Sequence, residues 1–404
     1  MKRYKKGMEQ STAETSTPES ILDRLVLFGA QKMVQDALKM ELEEYLGRKP
    51  YERHDPGKEK QYRNGPGKVR EVAVGCGSLA LQVPRLRQQY SSSILGRYDR
   101  TSPLVRNLIP TWYAQGLAAG DFETCFRSLL GDAAPLSEAS VVRLKQQWQA
   151  EYEQWKKRPL DAEYLYIWAD GVYPKAGPKD EQMAVLVVVG LNRRGQKELL
   201  AIEEGYRESF ESWRDVFRGL KHRGLKWVGM VIADGIAGLW KAQRDVYPAA
   251  RKQRCWVHKM RNVLDKVPKK AHDDVLQALR EIYHARSEKQ ARAAVRLFGV
   301  RFRSLYPKAV DSLFQALEAM FSYFIAPREH WKSIKSTNVI ESMFSAVKLR
   351  TDAARRIPRR DSALYLVFKL LTDQQPRWHK IHGYGLVVQT IELMQQRHKV
   401  RIAA

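Results

Sequence analysis

Apolar positions recur along the chain with changing period, and the order of the changes outlines the architecture. From Ile21 to Leu46, the residues Leu22, Leu25, Val26, Ala30, Met33, Leu38 and Leu46 fall near helical spacing, and Gly47 supplies a stop. Two strand-like runs, Val69 to Val74 and Leu79 to Val83, flank a Gly-Cys-Gly-Ser turn. That turn spells Gly75-x-Gly77-x-x-Ala80, but no βαβ unit surrounds it, so it reads as hairpin chemistry rather than a dinucleotide fingerprint. Three helices are predicted next: Leu104 to Gln115, Phe122 to Leu130, and a third from the N-cap Ser137 to about Trp155. The last carries Arg143, Lys145, Gln146 and Gln147, which fits a DNA-binding helix-turn-helix. It equally fits a structural helical hairpin with a solvated basic face, and periodicity does not separate the two.

After Arg158-Pro159 the texture changes. Tyr164 to Ala169, Ala184 to Gly190 and Glu198 to Glu203 read as three successive strands. A helix (Ser209 to Leu220), a strand (Trp227 to Ala233), a helix (Ile236 to Val246) and a short strand near Arg251 to Cys255 follow. The order β-β-β-α-β-α-β with apolar strands predicts a mixed α/β sheet. From about 262 to 325 the pattern is wholly helical, and Ser336 to Leu371 is helical again with a break at Pro358.

Charge narrows the function. In 404 residues, Lys and Arg number 70 against 45 Asp and Glu, a formal net charge of +25, which calls for a polyanionic partner such as nucleic acid. With 44% apolar residues the chain can bury real cores, although residues 1–19 are polar and read as a disordered tail. The apolar run Met183 to Val189 is too short to span a bilayer, and no apolar stretch follows the basic start. Three scattered cysteines exclude a disulfide framework. A cytoplasmic, multi-domain, nucleic-acid-binding protein is the expectation, associated with the nucleoid when on DNA.

Two aspartates stand where chemistry is expected. Asp170 and Asp234 each follow an apolar strand in the form Ala-Asp-Gly, and open α/β sheets place sites at the carboxyl ends of strands. If the strands are neighbours, both carboxylates reach one point, where Mg²⁺ with its preference for oxygen ligands could bind. The plainer reading is an Asp-Gly turn. A third carboxylate, Glu341, lies in Ser336-Thr-Asn-Val-Ile-Glu341, where Asn338-x-x-Glu341 also matches a capping box. Lys348, Arg350, Arg355, Arg356, Arg359 and Arg360 follow it, a basic run suited to phosphate. Cys255-x-x-His258 could suggest zinc, but neither of the other cysteines has a matching partner to complete four ligands. His258 reads better as a phosphate contact, with Cys255 behind it.

Taken in order, these motifs resemble the IS256-type bacterial transposases, the prokaryotic branch of the Mutator superfamily. The stretches that carry the resemblance are Arg158-Pro-Leu-Asp-Ala162, Asp170-Gly-Val-Tyr173, Ala233-Asp-Gly-x-x-Gly-Leu239, Gln253-Arg-Cys-Trp-Val-His-Lys-Met-Arg261 and Ser336-Thr-Asn-Val-Ile-Glu341. The resemblance implies an RNase H-like α/β catalytic domain with an all-helical insertion, preceded by mostly helical DNA-binding regions. It implies that Asp170, Asp234 and Glu341 form a DDE triad holding two Mg²⁺ ions, with Mn²⁺ as a substitute. Cys255 and His258 would be the accompanying C/D-x-x-H signature, and Trp331 an insertion-domain aromatic near flanking DNA. The 107 positions between Asp234 and Glu341 independently leave room for an insertion. The implied partners are the element's terminal inverted repeats and target DNA, with the protein acting as a homodimer.

The expected layout is a tail (1–19), an N-terminal helix with a small β region for DNA binding or dimerisation (20–102), and the helix-turn-helix-like part (103–157). The catalytic domain would occupy 158–264 and 334–404, with the insertion at 265–333. One departure is Phe344, where many members carry Asn three residues after the glutamate. Loss of a carboxylate would have favoured a catalytically silent DNA-binding regulator. An RNase H-like nuclease would need neither the insertion nor the Cys-Trp-Val-His block.

Overall fold

The computed structural model describes residues 21–53, 61–88, 90–114, 138–177, 183–206, 208–353, 357 and 359–403. The expected Phe122 to Leu130 helix, the Ser137 cap, Pro358, Arg355 and Arg356 lie outside those residues, and the side chain of Arg143 lies outside them too. The chain divides into two compact units, the second beginning at Val142 apart from residues 114–116.

In the first unit the Ile21–Leu46 helix packs Leu38 onto Val72, Leu79 and Leu81 of an antiparallel hairpin, β2 (Arg70–Val74) with β3 (Gly77–Leu81). Gly47, with φ 63°, ends the helix, and Gly77, with φ 133°, turns the hairpin; both angles disfavour a side chain. Gln35 locks helix to sheet, donating to the Gln82 carbonyl at 2.8 Å and accepting from its amide at 2.9 Å. A second strand pair, β1 (Arg63–Pro66) with β4 (Pro84–Leu86), forms in a stretch whose Pro and Gly content reads as turn.

The second unit is built on a five-stranded sheet whose central strand, the first along the chain, is flanked by the second and third on one side and the fourth and fifth on the other. β5 (Glu163–Val172), β6 (Met183–Leu191) and β7 (Lys197–Tyr206) are antiparallel, whereas β8 (Trp227–Ala233) and β9 (Arg251–Arg254) run parallel to β5. Every residue of β6 is buried, which explains its unbroken apolar run. Side chains alternate across β5. Ile167 and Ala169 join the core formed by the Phe210–His222 and Ala237–Val246 helices, including Trp213, Phe217 and Leu239. Tyr166 and Trp168 reach the opposite side, bonding His330 Nδ1 at 2.8 Å and the Ser333 carbonyl at 3.1 Å.

The Glu138–Lys157 helix, which the sequence fits equally to a DNA-binding helix-turn-helix and to a structural hairpin, buries Trp148 and Tyr152. Tyr152 donates to the Ile202 carbonyl of β7 at 2.8 Å and packs edge-on to Phe368. Its C-terminal half therefore belongs to the α/β unit. Lys145 and Gln146 lie outside those buried positions. Between β9 and the Asn338–Ala353 helix the chain is helical, with Val275, Leu279, Phe298, Phe302, Val310 and Leu313 buried. No helix among the described residues is long and apolar enough to cross a membrane.

Candidate active site

Parallel pairing of β5 with β8 puts Trp168 opposite Ile232, so Asp170 and Asp234 stand at the same level at the carboxyl ends of adjacent strands. Asp170 shares the face of Tyr166 and Trp168, and the Asn338–Ala353 helix packs against β5. Each aspartate commits one oxygen to a backbone amide: Gly171 N–H donates to Asp170 Oδ1 at 2.8 Å, and Ile236 N–H to Asp234 Oδ1 at 3.0 Å. Asp234 thus does start a turn. Asp170 does not, because Gly171 is still within β5.

Two glycines open the space beside these carboxylates. A Cβ on Gly171 would meet Glu208 Oε1 at 2.3 Å, and one on Gly235 would meet Arg254 Nη2 at 2.0 Å. Glu208 and Arg254 are residues whose roles sequence reasoning missed. Glu208 has no periodic signal, and Arg254 is only one of many basic residues in the chain.

Glu341 arrives on the first turn of its helix. Asn338 is the first helical residue rather than the residue before it, and the Glu341 carboxylate accepts from the Thr337 hydroxyl. Thr337 is fully buried, and its hydroxyl also lies 3.2 Å from Cys255 Sγ and 3.4 Å from His258 Nδ1. Cys255 begins the Trp256–Leu264 helix, held at the end of β8 by its amide bond to the Ala233 carbonyl at 2.8 Å. His258, one turn on, brings Nδ1 to 3.8 Å from Glu341 Oε1.

The electrostatics are those of crowded carboxylates. Burial, then the Glu208 charge and the more distant Asp234 and Glu341, push Asp170 up to about 7. Burial likewise raises Asp234 and Glu208, although His258 eases both and Arg254 eases Asp234. His258 rises to about 9, chiefly through its hydrogen bond to Cys255 and against the opposing effect of burial. Burial pushes the Cys255 thiol up, but bonds from His258 and Thr337 outweigh it and leave it below its usual range.

Partly buried oxygen donors that repel one another suit a hard divalent cation, which would relieve the repulsion. Cys255, His258 and Glu341 also present ligand atoms within 4.8 Å of one another, the only such group among the described residues. The Thr337 hydroxyl also contacts all three of those groups.

Sequence comparison decides the family. The profile described as "Transposase, Mutator family" matches residues 5–381. The chain belongs to the Mutator family of transposases. A transposase for insertion sequence element IS6120 of Mycolicibacterium smegmatis is 40% identical over 281 residues, 69% of this chain and 87% of that protein. A transposase for element IST2 of Acidithiobacillus ferrooxidans is 37% identical over 264 residues, 65% of this chain and 89% of its own. The transposase of IS256 in transposon Tn4001 of Staphylococcus aureus is 28% identical over 341 residues, 83% and 86% of the two chains.

Other family-implied positions fall apart from the carboxylates. Trp331 is half-buried in an aromatic cluster with Tyr323 and Phe324, and its indole donates to the Ala326 carbonyl at 3.0 Å. The Lys335 ammonium sits over the Tyr283, Tyr323 and Trp331 rings at 4.5, 4.6 and 5.3 Å, tying the segment before Thr337 to the helical block. Lys348 is exposed and Arg350 half-buried on the Glu341 helix. Phe344 is buried, so its departure from Asn serves packing.

Thr337 gives a direct test of this arrangement. Thr337→Val removes the hydroxyl shared by Cys255, His258 and Glu341 and is expected to slow turnover by about 10–100-fold, the scale of losing a residue that orients a ligand. Thr337→Ser keeps the hydroxyl and should retain most of the rate, as measured in parallel turnover assays.

Proposed function

We propose that this transposase binds the terminal inverted repeats of an insertion sequence and catalyses strand cleavage and strand transfer with a DDE carboxylate set. The observation that carries the reading is the level placement of Asp170 and Asp234 at neighbouring parallel strand ends, with Glu341 near enough for its charge to raise both. The sheet order, with three antiparallel strands followed by two parallel ones, supports an RNase H-like fold, and the helices between 265 and 333 support the insertion.

Asp170, Asp234 and Glu341 would hold two Mg²⁺ ions, or Mn²⁺. Bound there, the ions would supply Lewis-acid activation of the attacking hydroxyl and stabilisation of the leaving 3′-oxygen. His258, kept protonated by its neighbours, would donate to a phosphate oxygen near the scissile bond. Arg254 adds a guanidinium beside Asp234. Lys348, Arg350, Arg355 and Arg356 would follow the DNA backbone, Arg143, Lys145 and Gln146 would approach a groove, and Trp331 would lie near flanking DNA. With a net charge of +25, binding should weaken steeply with salt. All three carboxylates are present, which favours catalysis over a silent regulator.

The test is incubation of the purified chain with Mg²⁺ and duplexes carrying element ends, followed by mapping of nicks. Cleavage at the element boundary leaving a 3′-hydroxyl, and joining of that end to target DNA, is expected. Cleavage only of RNA–DNA hybrids would replace the reading with a nuclease.

A further inference from the structure

A fourth carboxylate stands near the two aspartates. Glu208 lies in the short connection between β7 and the Phe210–His222 helix, far in sequence from the three acidic residues already described. Its Oε1 accepts from the Tyr173 hydroxyl at 2.6 Å and rests against Gly171, where no side chain could stand. Gly171 directly follows Asp170, and the absence of a Cβ there brings the Glu208 carboxylate near enough for its charge to raise Asp170. Its other oxygen, Oε2, is buried outside hydrogen-bond geometry, with the Trp213 indole N–H close enough to hold the carboxyl down.

A buried carboxylate oxygen outside hydrogen-bond geometry is expensive unless something outside the protein completes it. Arg254 eases Asp234, and His258 eases both Asp234 and Glu208. The backbone also fixes Glu208 from behind. The Ala237–Val246 helix approaches so closely that a Cβ on Gly238 would meet the Glu208 carbonyl oxygen at 2.8 Å.

We propose that Glu208 is a fourth carboxylate of the divalent-cation site, with Tyr173 orienting it through Oε1. This rests on the DDE reading above and deepens it: the site is a set of four acids, one of them delivered by the loop after the third strand. Glu208 would share with Asp170 the neutralising charge of one ion, and Tyr173 is its positioning residue.

The experiment is titration of the full chain with Mn²⁺ by calorimetry, together with melting curves with and without Mn²⁺. Glu208→Gln keeps the shape against Gly171 and an oxygen to accept from Tyr173, but removes the charge. It is expected to weaken Mn²⁺ binding at least about tenfold, comparable to or greater than the loss from removing a residue that only supports a ligand. The same variant is expected to melt higher than the parent without metal, because a repelled charge has gone. A purely structural Glu208 would not move these two readings in opposite directions.

Tyr173→Phe, which keeps the charge and loses only the bond, should bind Mn²⁺ more nearly like the parent than Glu208→Gln does. A Glu208→Gln isotherm matching the parent's would overturn the assignment of Glu208 alone. A parent chain that takes up no Mn²⁺ would overturn it together with the DDE reading beneath it.

Discussion

Asp170→Asn, Asp234→Asn and Glu341→Gln are each expected to reduce strand cleavage at an element end by at least ~10³-fold, the scale on which losing a charge-stabilising group acts. Binding of the same DNA should persist, because it would draw on many phosphate contacts spread over a strongly basic chain rather than on these acids. The substitutions are close to isosteric, and each aspartate's backbone bond is made through one oxygen, which an asparagine carbonyl can replace. Folding should therefore survive. The amide cannot supply the negative charge that holds a divalent cation. Gel-shift and cleavage assays on one preparation separate the two effects. A Glu341→Gln protein that melts lower yet cleaves at the parent rate would return Glu341 to the role of starting its helix.

Without divalent cations, the acid cluster should make the protein lose thermal stability as pH rises from about 4 to about 8. Asp170 is pushed up to about 7 by burial and then by Glu208, and Asp234 and Glu208 are raised in the same direction by burial. A carboxyl with a higher pKa folded than unfolded keeps its full contribution below the unfolded value near 4 and loses it as pH passes the folded value. Across that interval each proton involved costs about 1.4 kcal/mol per pH unit. His258, raised to about 9 chiefly by its bond to Cys255, acts with the same sign between about 6.5 and 9.

Mg²⁺ competes with those protons, so the stabilisation it confers should grow with pH across the same window. Melting curves at pH 5 and pH 8, with and without Mg²⁺, give the comparison, and Asp170→Asn should flatten the metal-free dependence. An equal Mg²⁺ shift at both pH values would contradict the cluster as a cation site.

How much of this was legible in the sequence follows from which residues announce their surroundings. β5, β6 and β8 read clearly because they are buried on both faces and carry unbroken apolar runs. The hairpin of β2 and β3 was legible from its glycine turn. The β1 and β4 pair was not: Arg63-Asn-Gly-Pro66 shows no alternation, and backbone pairing alone makes it a strand.

The Glu138–Lys157 helix shows the limit of a charge pattern. Its basic residues suggested a face for DNA, while Trp148 and Tyr152, spaced four apart, were its buried stripe. Asp170, Asp234 and Glu341 stood out because a carboxylate just past an apolar strand, or at a helix start before basic residues, has a positional meaning. Glu208 and Thr337 had none. Glu208 gains its place only when Gly171 leaves room, and Thr337 gains its role only when the Cys255 helix and the Glu341 helix meet.

We infer that Asp170, Asp234 and Glu341 gather one divalent-cation site. It is tested most directly by anomalous diffraction from crystals of the full chain grown with Mn²⁺ and an element-end duplex. Strong Mn²⁺ density between these three side chains is the predicted result. Density confined to Cys255 and His258 away from the aspartates, or none at saturating Mn²⁺, would contradict it.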